Sequence, residues 1–400
     1  MIVGIDNISP GVSSGEAALG GMHHFLRGLV PHLAGVGAEH EFLVFTPVWA
    51  DDLVSPLPPN VRTVRCRGVP RSRMGRVLYE QLWLPGLIRR KGVKLWLGAV
   101  NVLPLAWGGL SIRILQSLQY FTQPRSFSWA RRLYLRTFVP LSLRRADRVI
   151  ALSNASKEYI VRRFKLPESR VRVIYHGVRF RGLATAGSVG ESSAKGSAWE
   201  IADSGYILFV SAFYPYKNLD RLIQAFARLK PEYPHKLVLI GSETDFVTYE
   251  SIRELARKHG LENDIAILGH VPDSELPTYY QNASLMVMPS LEETFGLSVL
   301  EAMAFGCPVV TSNMGSMREV GGDAVVLADP YSVESIAEAM ARVLSDPVLS
   351  RKLAVAGQAR AKEFTTERFT ESMLEVINSL DETRQNAEED VEDMLDGLDG

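Results

Sequence analysis

The chain has 400 residues, 46% of them apolar, two cysteines and a formal net charge of −1. That composition fills the cores of two ordinary domains and excludes an intrinsically disordered chain, a collagen repeat and a disulfide-stapled fold. The small total hides an asymmetry: residues 1–180 hold 26 Lys and Arg against 10 Asp and Glu, net +16, and residues 181–400 hold 18 against 35, net −17. One half is basic and the other acidic.

No stretch reaches the ~18 uninterrupted apolar residues of a membrane span. The start MIVGID lacks the basic and apolar segments of a signal peptide, so a cytoplasmic location is expected. Cys66 and Cys307 form no CxxC pair and stand at no metal-ligand spacing with the histidines; both are expected as small buried apolar side chains.

Short apolar runs alternate with longer amphipathic stretches, the pattern of parallel sheets with crossover helices. In the first half, runs at 2–6, 41–46, 61–66, 94–98, 111–115, 148–152 and 171–175 predict strands. A helix from Gly21 places Phe25, Leu26, Leu29 and Leu33 on one face, and Pro31 is expected to kink it. The stretch GLATAGSVGESSAKGSA (182–198) is too poor in large apolar residues to join a core and predicts a connection or insert between domains. After Ser204, strands are predicted at 206–211, 236–242, 264–269, 285–290, 308–312 and 325–329, and helices at 218–229, 249–260, 274–283 and 297–305. Helical segments at 333–345, 348–363 and 366–380 follow. Residues 381–400, with nine acidic side chains and one basic, predict a disordered tail. The reading is an α/β chain of two doubly wound, Rossmann-like domains: 1–181, with the helix 366–380 packed back on it, and 205–365, joined by 182–204.

The most informative segment is MPSLEETFGLSVLEAMAFGCPVV (288–310). A strand ends near Ser290 and a helix begins at Gly296 or Leu297, so the amides of Phe295, Gly296 and Leu297 present a positive helix end suited to an anion. Glu293 precedes that end and Glu301 follows one turn later, placed to bracket one ligand by its hydroxyls. The alternative is a solvated loop glutamate beside a helix glutamate. Lys217 follows the strand 206–211 through AFYPY and precedes Asn218, a suitable N-cap, which puts an ammonium at the carboxyl edge of the same sheet. A phosphate would suit it, and an ordinary surface lysine is the alternative. Gly20 and Gly21 open the first helix and allow close approach of a phosphate or sugar; a tight turn explains them equally, and their spacing with Gly11 and Gly15 fails the dinucleotide fingerprint.

From about Tyr206 to Leu380 these residues resemble the retaining glycosyltransferases of family 4, which have the two-domain GT-B fold. The resemblance rests on EETFGLSVLEAMAFGCPVV, the family's Glu-x7-Glu signature, with VSAFYPYKNLDRLIQAF, ILGHVPDSELPTYYQNASLMVMPS and GSMREVGGDAVVLADP. It extends more loosely through GGMHHFLRGL, VLPL (102–105), RRADRVIALSNASKEYI and VRVIYHGV, leaving out 182–204 and the tail. It implies transfer of a sugar, as a retaining hexosyltransferase does, from a nucleotide diphosphate sugar acting as co-substrate to an acceptor hydroxyl. By the same resemblance Glu301 binds the ribose hydroxyls and Glu293 those of the sugar. The amides of Phe295, Gly296 and Leu297 hold sugar and diphosphate, Lys217 neutralises the diphosphate, backbone at His270 and Val271 holds the base, and Gly20 and Gly21 approach the phosphates from the opposite domain.

The chain departs from the family at three positions. Ala212 stands where an arginine is usual, Gln116–Ser117 where many members carry His-Asp, and Ser298 where proline is common. Gln116 can donate a hydrogen bond in the histidine's place but cannot take a proton. No separate nucleophile emerges, Asp6 and Glu16 being the carboxylates of the first domain expected near the cleft, and the resemblance implies the family's front-face mechanism, in which the leaving diphosphate receives the acceptor proton. The body of the chain has no Asp-x-Asp, and neither a metal nor a cofactor is expected. Residues 62–94 hold ten Lys and Arg and one acidic residue among Val77, Leu78, Leu82, Trp83, Leu84, Leu87 and Ile88. That amphipathic basic stretch suits anionic lipid headgroups, or else is a core helix with a solvated basic face; nucleic acid is not expected. The expected acceptor is a lipid-linked or polysaccharide-precursor glycan, met at the inner face of the plasma membrane. A nucleotide-sugar epimerase and a silent nucleotide-sugar-binding scaffold are the alternatives.

Overall fold

A computed structural model describes residues 1–8, 21–50, 53, 56–99, 102–178 and 205–396, with backbone alone at 21–24, at 73 and over 391–396. The insert 182–204 and Gly20 lie outside the described residues. The first sheet comprises β1 (Ile2–Asp6), β2 (Glu41–Pro47), β3 (Val61–Cys66), β4 (Leu95–Gly98), β5 (Leu110–Leu115), β6 (Arg148–Ala151) and β7 (Val171–Val173), in the order 3-2-1-4-5-6-7. The second comprises β8 (Tyr206–Val210), β9 (Lys236–Ile240), β10 (Ile265–Gly269), β11 (Leu285–Met288), β12 (Val309–Ser312) and β13 (Val326–Ala328), in the order 10-9-8-11-12-13. Every pairing is parallel. The runs are continuous rather than alternating because helices cover both faces of a parallel sheet; β8 and β11 are buried at every residue.

Strand order reverses between β1 and β4 in the first sheet and between β8 and β11 in the second. Ligands of open α/β sheets bind beyond the carboxyl ends at such reversals. The chain leaving β8 carries Lys217, and the chain leaving β11 carries Glu293.

The helix Gly21–Val36 buries Phe25, Leu26, Leu29 and Leu33, and it continues through Pro31 to its end. The long helix Thr366–Asp396 lies against it, with Phe369 edge-on to Phe25 at 5.3 Å and His40 bonded to Asn378 at 2.7 Å. Helix therefore replaces the predicted disordered tail over 381–396. The composition measured how little this stretch can bury, not its helix propensity. Arg384 pairs with Asp381 three residues before it and Glu388 four after, at 2.9 and 2.5 Å. Cys66 and Cys307 are both buried and free.

The chain crosses between the sheets twice, and the crossings touch: Val178 donates its amide to Phe364 at 2.9 Å. Among the described residues no helix is long and apolar enough to cross a membrane.

Candidate functional site

Asn218 sits at φ 66°, and its side chain does not cap the helix Leu219–Leu229 that it precedes. Its amide nitrogen instead donates to the carbonyls of Pro289 (2.9 Å) and Pro330 (2.7 Å), while its oxygen accepts from Arg221 (3.0 Å). The predicted cap is thus a brace that ties together the loops leaving β8, β11 and β13. It brings Lys217 against the loop after β11, where Lys217 Nζ meets Glu293 Oε1 at 2.5 Å with only 13% and 8% of the side chains exposed. Two residues 76 apart in sequence form one buried ion pair.

Gly296 (φ 98°) starts the helix Leu297–Ala304, and Glu301 lies within it. The first amides of that helix have no carbonyl one turn back to bond. Glu301 accepts a hydrogen bond from the Tyr280 hydroxyl at 2.9 Å. Tyr280 is fully buried and stacked on Phe305 (5.9 Å, 8°), so the carboxylate is held on a rigid support. Burial and the Glu301 charge push the Tyr280 phenol well above its ordinary value, which keeps it a donor.

The EETFG loop is gripped by the other domain. The Thr294 carbonyl accepts from Ser153 Oγ (2.9 Å) and Ser156 Oγ (3.1 Å), and Thr294 Oγ1 donates to the Gln116 carbonyl (2.7 Å). Gln116 therefore reaches the cleft beside Glu293, and its side-chain Nε2 is buried without a hydrogen-bond partner among the described residues. Phe295 packs on His176 (5.9 Å) and Phe364 (5.8 Å), and burial lowers the His176 imidazole to about 4, so it stays neutral. Nearby, Glu319 caps the helix Asn154–Phe164 from across the interface. Its carboxylate accepts from the amides of Asn154 (2.8 Å) and Ala155 (3.2 Å) and from the Tyr175 hydroxyl (2.7 Å).

Of the other predicted positions, Val271 is buried and His270 exposed just after β10. Gly21 is the first residue of its helix, and Ala212 is exposed on the turn before Lys217. Sequence reading gave no role to Thr294, Ser153, Ser156, Glu319 or Tyr280, though SNAS (153–156) and GSMRE (315–319) lay inside the resembling segments. It also passed over Glu292. Burial first, then the neighbouring Glu293 charge, raise that half-buried carboxyl from 4.5 to about 7. The folded state thus holds the proton more tightly than the unfolded chain, and ionisation as pH rises through that range costs stability. Glu292→Gln is expected to match the wild type near pH 4 and to melt at a higher temperature above pH 7; an equal difference at both pH values would refute the assignment.

Among the described residues no three His, Cys, Asp or Glu side chains gather as a metal site needs.

Two family models cover most of the chain: Glycosyltransferase Family 4 matches residues 19–180, and Glycosyl transferases group 1 matches residues 197–360. The O-antigen chain mannosyltransferase B of Escherichia coli is 31% identical over 264 residues, 65% of this chain and 68% of that protein. Three further curated relatives, one of them the D-inositol 3-phosphate glycosyltransferase of Kribbella flavida, are matched over 53% to 58% of their length. Among solved structures, sucrose-phosphate synthase from Thermosynechococcus elongatus superposes with a TM-score of 0.77 at 23% identity, over 96% of this chain and 99% of that one. Anabaena HepE in complex with UDP and glucose superposes at 0.69 and 20% identity, over 95% and 100%. With two parallel sheets facing each other across the gripped loop, the chain has the GT-B fold and belongs to the group 1 glycosyltransferases.

Proposed function

We propose that the protein transfers a hexose from a nucleotide diphosphate sugar to an acceptor hydroxyl with retention of anomeric configuration. The observation that carries this reading is the buried Lys217–Glu293 pair, its glutamate in the loop that leads into the N-terminus of the helix Leu297–Ala304. An ammonium and a helix end suit the diphosphate, and carboxylates suit hydroxyls. Glu301, held by Tyr280, takes the ribose diol; Glu293 takes the sugar hydroxyls; Gln116 Nε2, a buried donor, takes a sugar or acceptor oxygen. Backbone at His270 and Val271 faces the base, and Gly20 and Gly21 close on the phosphates.

As the bond from the anomeric carbon to the diphosphate breaks, the acceptor oxygen bonds that carbon from the same face. The acceptor's proton passes to the departing phosphate oxygen. Lys217 and the helix amides stabilise the charge that builds on the leaving group, with no resident metal or cofactor assigned to the step. We further propose a lipid-linked or polysaccharide-precursor acceptor, on the likeness to an O-antigen mannosyltransferase. The helix Arg73–Leu82 and the turn after it expose Met74, Leu78, Leu82 and Trp83 at 50% or more among the arginines of 62–94, a surface that supports docking to an anionic cytoplasmic membrane face.

A thermal-shift panel of UDP-, GDP- and ADP-sugars tests the donor reading. One of them is expected to raise the melting temperature in proportion to its affinity and to yield glycosylated product on lipid-linked acceptor. No shift and no transfer with any donor would sink it.

A further inference from the structure

The chain between β9 and the helix Tyr249–Lys258 takes no part in the chemistry above, yet polar contacts fix it closely. Thr244 Oγ1 donates to the Phe213 carbonyl (2.8 Å), and the Glu243 carboxylate accepts from the Tyr249 amide (3.0 Å). Thr248 and Ser251 cap the helix reciprocally, which makes Tyr249 its first residue. The Tyr249 side chain is half-buried at the carboxyl edge of the second sheet, its ring edge-on to the fully buried Phe213 at 5.9 Å.

The phenol meets two strand ends at once. Tyr249 Oη donates to the Gly241 carbonyl at 3.2 Å, and a Cβ placed on Gly269 would stand 3.2 Å from the same oxygen. Gly241 in turn donates its amide to the Gly269 carbonyl at 2.7 Å. The register between β9 and β10 slips at this point: Ile267 and Gly269 face the consecutive residues Leu239 and Ile240, so Leu268 is the extra residue of a bulge. A bulge re-aims the chain beyond it, and Gly269 at φ 69° completes the change of direction. His270 and Val271 leave from that corner. A phenylalanine would pack on Phe213 as well, so core filling accounts for the ring of Tyr249 and not for its hydroxyl.

We propose that Tyr249 is a positioning residue for the donor's base: through Gly241 and Gly269 its hydroxyl fixes the path of the backbone at His270 and Val271. The inference rests on the donor reading given above, which assigns that backbone to the base, and adds what holds it in register. A site that reads hydrogen-bonding groups discriminates by leaving its own groups unpaired on the wrong partner. That discrimination requires the backbone to keep one path.

The test is isothermal titration of UDP, GDP and ADP into wild type, Tyr249→Phe, Gly269→Ala and the double variant. Tyr249→Phe is expected to weaken the nucleoside diphosphate that the wild type prefers by about three- to tenfold, the range for one hydrogen bond, and to change the other two by less than about twofold. The preference among bases therefore narrows. Gly269→Ala sets a methyl against the phenol at a left-handed φ and should narrow it further. In the double variant the hydroxyl no longer crowds that methyl, so the combined loss should fall short of the product of the single losses. Unchanged affinity in Tyr249→Phe overturns the inference, as do single losses that multiply in full. An equal loss for all three diphosphates overturns it too, since a general loosening of the domain would weaken every base alike. In each of these cases binding by the wild type leaves the donor reading standing. A wild type that binds none of the three overturns the donor reading, and this inference falls with it.

Discussion

Glu293→Gln is expected to lower kcat/KM by about 10²- to 10³-fold, the scale of losing one preorganised electrostatic contact. The glutamine keeps the side-chain shape but gives up the charge that orients Lys217, which stands 2.5 Å away in a site 8% to 13% exposed. Stability should move too, because leaving one partner of a buried pair uncompensated costs up to about 3–5 kcal/mol; partial exposure places this pair toward the low end. The double variant Lys217→Met, Glu293→Gln removes both charges and should recover part of that stability while remaining inactive, a coupling that a double-mutant cycle in urea measures directly. Removing the Glu293 charge also lowers the Glu292 titration from about 7, while burial, the larger cause, continues to hold it above the ordinary carboxylate value. Full activity in Glu293→Gln would dismiss the carboxylate from the reaction.

A second large effect is expected where the two crossings between the sheets touch. A Cβ placed on Gly177 would stand 2.3 Å from the Thr365 carbonyl carbon and the Thr366 nitrogen and 2.4 Å from the Thr365 oxygen. These are backbone atoms of the returning chain, anchored by the bond from Val178 to Phe364, so no rotamer can yield. Gly177→Ala should therefore cost about 3 kcal/mol or more, the upper range for overpacking, and lower the urea midpoint accordingly. Gly35→Ala is the control, since nothing lies within 4 Å of its Cβ and its helix favours alanine by roughly 0.5–1 kcal/mol. Similar midpoints for the two variants would mean that the crossings separate easily.

The central strands, such as β8 and β11, were legible as apolar runs because a strand covered on both faces is apolar along its whole length, whereas the edge strands β3 and β7, exposed at Arg62, Arg65 and Arg172, were legible from valines set among arginines. The Lys217–Glu293 contact was legible only as two residues at one sheet edge; the brace that joins them, Asn218 bonding two loop carbonyls, was hidden behind an ordinary N-cap pattern. Periodicity cannot report it, because a side chain that serves distant carbonyls leaves no local spacing. The same holds for Thr294 and Glu319, whose partners lie on the other domain 138 to 178 residues away. Helix 381–396 was missed for a different reason: an absence of apolar residues limits burial, whereas Arg384 and its two carboxylates need only the helix itself.

The long helix Thr366–Asp396 also bears on the order of synthesis. It supplies Phe369, Met373, Ile377 and Leu380 to a core begun by Phe25 and Leu29, more than three hundred residues earlier. During translation, the first sheet must wait with that face of the helix Gly21–Val36 uncovered while the whole second sheet emerges. The ordinary succession, in which the leading domain completes before the next begins, is reversed here. The face of the helix Gly21–Val36 that holds Phe25 and Leu29 is covered only once the last helix has been made.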